Sequence, residues 1–250
     1  MIHRYRMERR TKLKKNNLLK KRFFSIILTI AVALSMMPTM AWAANDDTVA
    51  VIGTKEYTTL QAAIDAATST STIQLVKDVN ENIQITGWAT RTIDLGGHTW
   101  SGNGDVLTID SGIVNLSNGK IKSNTGRGIY MGYSEVTLGE NMIVQGADGF
   151  SAIEIQYGSQ TTLNLSDGTV LIRGLKVPAS KTLADYLPSG KTFVTCTYNE
   201  TTGEATANST DFVTTAYTLN EYTGNLALVS HEHQFTDGKC ACGVAYIAEI

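Results

Sequence analysis

Two imidazoles and two thiols lie close together in His231-Glu232-His233-Gln234-Phe235-Thr236-Asp237-Gly238-Lys239-Cys240-Ala241-Cys242-Gly243. Four such donors satisfy a tetrahedral zinc ion and leave no open position for a water nucleophile, so the chemistry is structural rather than catalytic. Asp237-Gly238 supplies the chain reversal that brings the two halves together. The expected metal ligands are therefore His231, His233, Cys240 and Cys242, with structural zinc as the cofactor. The competing reading is free thiols, or disulfides formed after export. Cys196 makes three cysteines, so one disulfide leaves a thiol unpaired.

A second set of residues offers contact rather than reaction. Thr108, Tyr130 and Glu154 recur on one side of successive apolar alternations, with Arg127 at the start of a strand and Arg173 after the last repeat. Aromatic faces pack on sugar C–H groups while their hydroxyls meet polar edges. Tyr130, Tyr133, Tyr157, Arg127 and Glu154 are thus the expected glycan-binding residues; the plainer reading is ordinary strand propensity. Glycoside hydrolysis needs paired carboxylates, and lyase chemistry needs a base beside a neutralised uronate. The main outward column reads Gln74, Asp94, Asn115, Thr137, Asn164 and holds one acid. No catalytic residue is assigned, and these Asn and Thr side chains are expected to bond from rung to rung. His98 sits in a turn without an obvious partner.

The elements that hold these residues repeat. Thr92–Trp100, Ile113–Ile121, Glu135–Ile143 and Thr162–Val170 align without gaps on x-Φ-x-L-x-x-[G/N]-x-Φ, where Φ is apolar, and Thr72–Leu75 is a weaker first copy. The first apolar position recurs at 73, 93, 114, 136 and 163. Alternation makes each copy a half-buried strand, and Gly or Asn then turns the chain into a second strand through Trp100, Ile121, Ile143 or Val170. A third alternation falls between copies, at Ile83/Ile85, Leu107/Ile109, Ile129/Met131 and Ile153/Ile155. Three short strands per turn of roughly 22 residues predict an all-β parallel β-helix, in preference to a leucine-rich repeat or a hairpin β-sandwich. Upstream, Leu60, Ala63, Ile64 and Ala67 share one helical face, with Thr58 and Gln61 in capping-box spacing, so a helix over about 58–67 is expected to cap the first rung.

Through "YTTLQAAIDAA", "TIQLVKDV", "TIDLGGHTWSG" and "VNLSNGKI", residues 48–174 resemble secreted right-handed parallel β-helix proteins of the pectate-lyase-like type found on the surface of Gram-positive gut Firmicutes. Enzymes on that fold cut polysaccharides. The C-terminal motif is similar to the H-x-H…C-x-x-C-G knuckles of clostridial surface proteins, with C-x-C in place of C-x-x-C. The expected organisation is a signal peptide over 1–43, the β-helix with its capping helix over 44–174, a small β-rich module over 175–230, and a zinc knuckle over 231–243.

The signal peptide is inferred from the N-terminus. Ten of the 21 Lys and Arg, and one of the 23 Asp and Glu, fall in the first 22 residues, followed by the apolar run Phe23–Leu34 and the small-residue site Ala41-Trp42-Ala43. Cleavage is expected after Ala43, leaving no stable membrane span and a secreted or surface protein. The remaining 11 basic and 22 acidic side chains give a net charge of about −11. Without a basic stripe, nucleic acid is excluded as a partner. The expected function is non-enzymatic binding or adhesion to an extracellular glycan or other surface ligand. The alternatives are a small polysaccharide lyase or glycoside hydrolase, and a structural spacer.

Overall fold

The computed structural model describes residues 47–244; the predicted signal and its cleavage site lie outside the described residues. The chain enters through a hairpin that the apolar pattern does not announce, β1 (Ala50–Ile52) and β2 (Lys55–Tyr57), followed by α1 (Leu60–Ala66). β1 also pairs antiparallel with β3 (Thr72–Leu75), covering the first rung edge. Leu60, Ala63 and Ile64 bury the helix face as the spacing predicts. The cap is Thr59, one residue later than expected, and its Oγ1 accepts from the Ala62 N–H at 3.2 Å. Gln61 donates instead to Asp65. The orphan N–H groups of Leu60 and Gln61 donate to the Glu81 carboxylate at 2.9 and 3.2 Å, a partner from the next turn of chain that no local motif reveals.

Beyond β3, three columns of parallel strands make a β-solenoid of about five turns. In chain order these are β4 (Val79–Asn80), β5 (Ile83–Ile85), β6 (Thr90–Asp94), β7 (Thr99–Gly102), β8 (Leu107–Ser117), β9 (Gly119–Ser123), β10 (Ile129–Leu138), β11 (Met142–Gln145), β12 (Ile153–Ile155), β13 (Thr162–Leu165), β14 (Val170–Ile172) and β15 (Leu175–Lys176). The first face stacks β3, β6, the second halves of β8 and β10, and β13. The second stacks β4, β7, β9, β11 and β14. The third stacks β5, the first halves of β8 and β10, β12 and β15. The predicted alternation places Ile83, Leu107, Ile129 and Ile153 in one inward column, and Leu175, beyond the expected end of the β-helix at residue 174, extends it; all are buried. Each such side chain contributes about 1.5–3 kcal/mol by leaving water.

The rungs are not in the frame of the gapless alignment throughout. Ile93 pairs with Leu116 rather than Val114, a slip of two residues, while Thr99 still pairs with Lys120. A shift of two keeps every side chain on its own face, so the apolar pattern cannot detect it. Gly96 and Gly97, at φ 58° and 85°, absorb the extra residues in the turn. The outward ladder therefore runs Thr92, Asn115, Thr137, Asn164, with Asn115 donating to Thr92 and Asn164 to Thr137, each at 3.4 Å. Asp94 serves its own turn, accepting from the Gly96 N–H and from the Asn118 side chain. On the second face the inward column is Trp100, Ile121, Val144, Leu171, so the expected Ile143 and Val170 point outward by one residue.

That outward apolar row is covered by the C-terminal strands. The second face continues into antiparallel strands in the order β14, β19 (Leu226–Ser230), β16 (Lys191–Tyr198), β17 (Ala205–Phe212), and the third closes on β18 (Glu221–Tyr222). Val170, Ile172, Val194, Cys196 and Ala227 form a small second core, with Ile143, Val229 and Phe212 packed against it. The same strands close the last rungs of two faces, where a solenoid would otherwise expose unpaired edges. A short hairpin, β20 (Phe235–Thr236) and β21 (Lys239–Cys240), ends the described chain.

Candidate functional site

The structure brings all four expected metal ligands together. His231 follows directly on β19 and is anchored by its N–H to the Gly190 carbonyl at 2.9 Å. Asp237 and Gly238, both at positive φ, reverse the chain between β20 and β21. Beyond β21, the Gly243 N–H donates to the Cys240 carbonyl and the Cys240 N–H to the Val244 carbonyl, a tight turn that presents both sulfurs despite the one-residue C-x-C spacer. The His231 Nε2 lies 3.0 Å from the Cys240 Sγ, the His233 Nδ1 lies 3.3 Å from the Cys242 Sγ, and all four ligand atoms fall within 4.8 Å of one another. Zinc bonds of about 2.0–2.3 Å in tetrahedral array place neighbouring ligand atoms about 3.5 Å apart, so the set fits such an ion.

The thiols are buried while the imidazoles are half-buried. Burial opposes charge on Cys240, but hydrogen bonds from the Cys242 backbone and from His231 and His233 outweigh it and draw the thiol well below its ordinary range. Burial, together with the Cys240 charge, pushes Cys242 upward. The Phe212 ring tilts against His231 at 4.8 Å, and Tyr217 is hydrogen-bonded to Cys242, so the C-terminal strands supply the surroundings of the ligands. Cys196 belongs elsewhere, in the second apolar core, where burial pushes its thiol to about 11. No disulfide joins any of the three cysteines.

On the third face, Thr108, Tyr130, Glu154 and Lys176 align outward across successive rungs, as the spacing predicts for the first three. Arg127 is gripped from both sides: its Nε donates to Glu154 at 2.6 Å and its Nη1 to Asp105 at 3.0 Å. Burial alone would lower its pKa, yet these two carboxylates raise it. Its guanidinium lies 4.9 Å from the centre of the Tyr130 ring and 5.9 Å from that of Phe150. Tyr130 is consequently a cation-covered ring. Tyr133 and Tyr157 stack on each other, with centroids 4.4 Å apart and planes within 7°, and both remain exposed, at 41% and 37%. In the same column the preceding rungs carry Ser111 and Gly87, which are joined by a 2.8 Å hydrogen bond. The tyrosine stack therefore ends in a step toward two small residues.

Several polar partners were illegible in the sequence. His98 has one, Asp78 at 3.4 Å, where none was expected. Gln145, buried, donates to Glu200 at 3.0 Å and accepts from the Tyr198 hydroxyl, which in turn meets the Lys120 ammonium. These residues come from remote segments, and no spacing rule joins them. Arg173, at φ 70°, meets Asp148 at 2.7 Å rather than the tyrosine face. Among the described residues no helix is long and apolar enough to cross a membrane. Comparison of the chain with protein-family models, with curated proteins and with solved structures finds no match.

Proposed function

We propose that this chain is an exported, non-enzymatic β-helix of the pectate-lyase-like type from a Gram-positive bacterium, released after Ala43, that binds an extracellular glycan along its third face. The observation that carries the reading is the exposed Tyr133–Tyr157 stack ending over Ser111 and Gly87. A pyranose ring seated in that step packs on the outer face of Tyr133 as a third member of the stack. Arg127, Asp105 and Glu154 beside it are committed to one another, which suits a fixed hydrogen-bonding surface better than proton transfer. The knuckle holds zinc through His231, His233, Cys240 and Cys242. A closed four-ligand site supplies rigidity, not a reactive water.

The test is to pass residues 44–250 over acidic and neutral polysaccharides, recording both retention and new reducing or unsaturated ends. Retention by at least one polymer, weakened about tenfold or more in Tyr133→Ala, is expected, since an aromatic contact contributes about a kcal/mol beyond the area it buries. Product formation overturns the non-enzymatic reading. Retention that is unchanged in Tyr133→Ala removes the tyrosine step from the site.

A further inference from the structure

A cavity of about 360 Å³ lies at the end of the first face, between β13 and the 3-10 turn Leu183–Tyr186. β13 is the last strand of that face. It pairs with β10 on one side and, among the described residues, with no strand on the other. Where the next rung is due, the chain leaves the ladder and forms the 3-10 turn instead.

In a parallel sheet, alternate residues direct their N–H and C=O to opposite neighbours. The Ser166 N–H donates to the Leu138 carbonyl on the β10 side. By alternation, Leu163 and Leu165 direct their backbone groups to the open edge, and both residues line the cavity. Tyr186 lines it as well; the residue is buried, at 7% exposure, and its hydroxyl has no hydrogen-bond partner. A buried polar group left in this state forfeits its hydration without return. Lys181 and Asp185 in the lining neutralise each other across 3.3 Å, while Leu187 and Pro188 add apolar wall.

We propose that this cavity binds a short, extended, uncharged peptide segment, which adds to β13 as the missing strand. Two unpaired N–H and C=O pairs set two residues apart, roughly 6.6 Å, match the repeat of another strand. The alternation of apolar and polar residues suited to the site is that of the rungs themselves. The Tyr186 hydroxyl takes its partner from the incoming segment. This site is on a different face from the tyrosine step and is independent of the glycan reading.

The probe is acetyl-Thr-Leu-Asn-Leu-Ser-amide, the sequence of the terminal rung, titrated calorimetrically into residues 44–250. Saturable one-to-one binding is expected. N-methylation of one alternate set of peptide amides abolishes it, and methylation of the other set leaves it intact. Tyr186→Phe weakens binding roughly three- to tenfold, the loss of one hydrogen bond, with an unchanged or higher melting temperature because no intramolecular partner is lost. Absence of saturable binding, equal sensitivity to both methylation frames, full affinity in Tyr186→Phe, or displacement of the peptide by maltose or cellobiose each overturns the proposal.

Discussion

Cys240 ends, and Cys242 directly follows, a hairpin whose strands are two residues each, too short to hold themselves together in water. A metal ion is the natural source of the missing stability, because its binding energy is folding energy for so small a unit. Cys242→Ser is expected to lower bound zinc from about one ion per chain to below roughly a tenth, read by native mass spectrometry. Cys196→Val should leave the metal content unchanged, since Cys196 packs in the second apolar core. Gly174 is sensitive for a different reason. Its φ is 75°, and an added Cβ would run into the Tyr222 carbonyl of β18. Gly174→Ala is expected to cost roughly 2–4 kcal/mol in urea unfolding, combining backbone strain with a displaced closing strand.

α1 illustrates how an element depends on its neighbours. Seven residues are too few for a helix to persist alone. It survives because Leu60, Ala63 and Ile64 cover the first rung and because Glu81 satisfies two N-terminal amides. Glu81→Ala should destabilise the protein by about 1 kcal/mol, with faster amide exchange over residues 60–67. The Trp100 indole should be spared, since it donates to the Glu81 backbone carbonyl rather than to the side chain. Inward rung positions carry larger costs. Leu116→Ala, fully enclosed by stacked neighbours, is expected to lose about 2–5 kcal/mol, measured by the same unfolding experiment.

For the whole molecule the governing problem is the pair of open ends. The hairpin β1–β2 with α1 closes one, and β16 to β19 close most of the other. Deleting residues 177–250 strips β19 from β14 and β18 from β15 and uncovers the outward apolar row of Ile143, Val170 and Ile172. The truncated protein is expected to associate edge to edge, visible as rising light scattering at micromolar concentration, where the longer chain stays dispersed. Residues 44–176 keep 8 basic and 14 acidic side chains, and this net charge of about −6, against about −11 for residues 44–250, still opposes that association, so added salt should accelerate it.

The fold was legible in the sequence because a solenoid buries side chains by local alternation, repeated each turn; Ile83, Leu107, Ile129 and Ile153 announce their column without knowledge of any contact. The four ligands of the knuckle were legible for the same reason, being close in sequence around one Asp-Gly reversal. Register was not, because the slip between Ile93 and Leu116 preserves the period of two that carries the signal. Nor was the state of the tyrosines: stacking of Tyr133 on Tyr157, and the covering of Tyr130 by Arg127, depend on side-chain geometry between rungs. Only the tertiary structure decides where the ladder stops. Alternation says that a strand has two edges, and packing alone determines that β13 keeps one of them open beneath Tyr186.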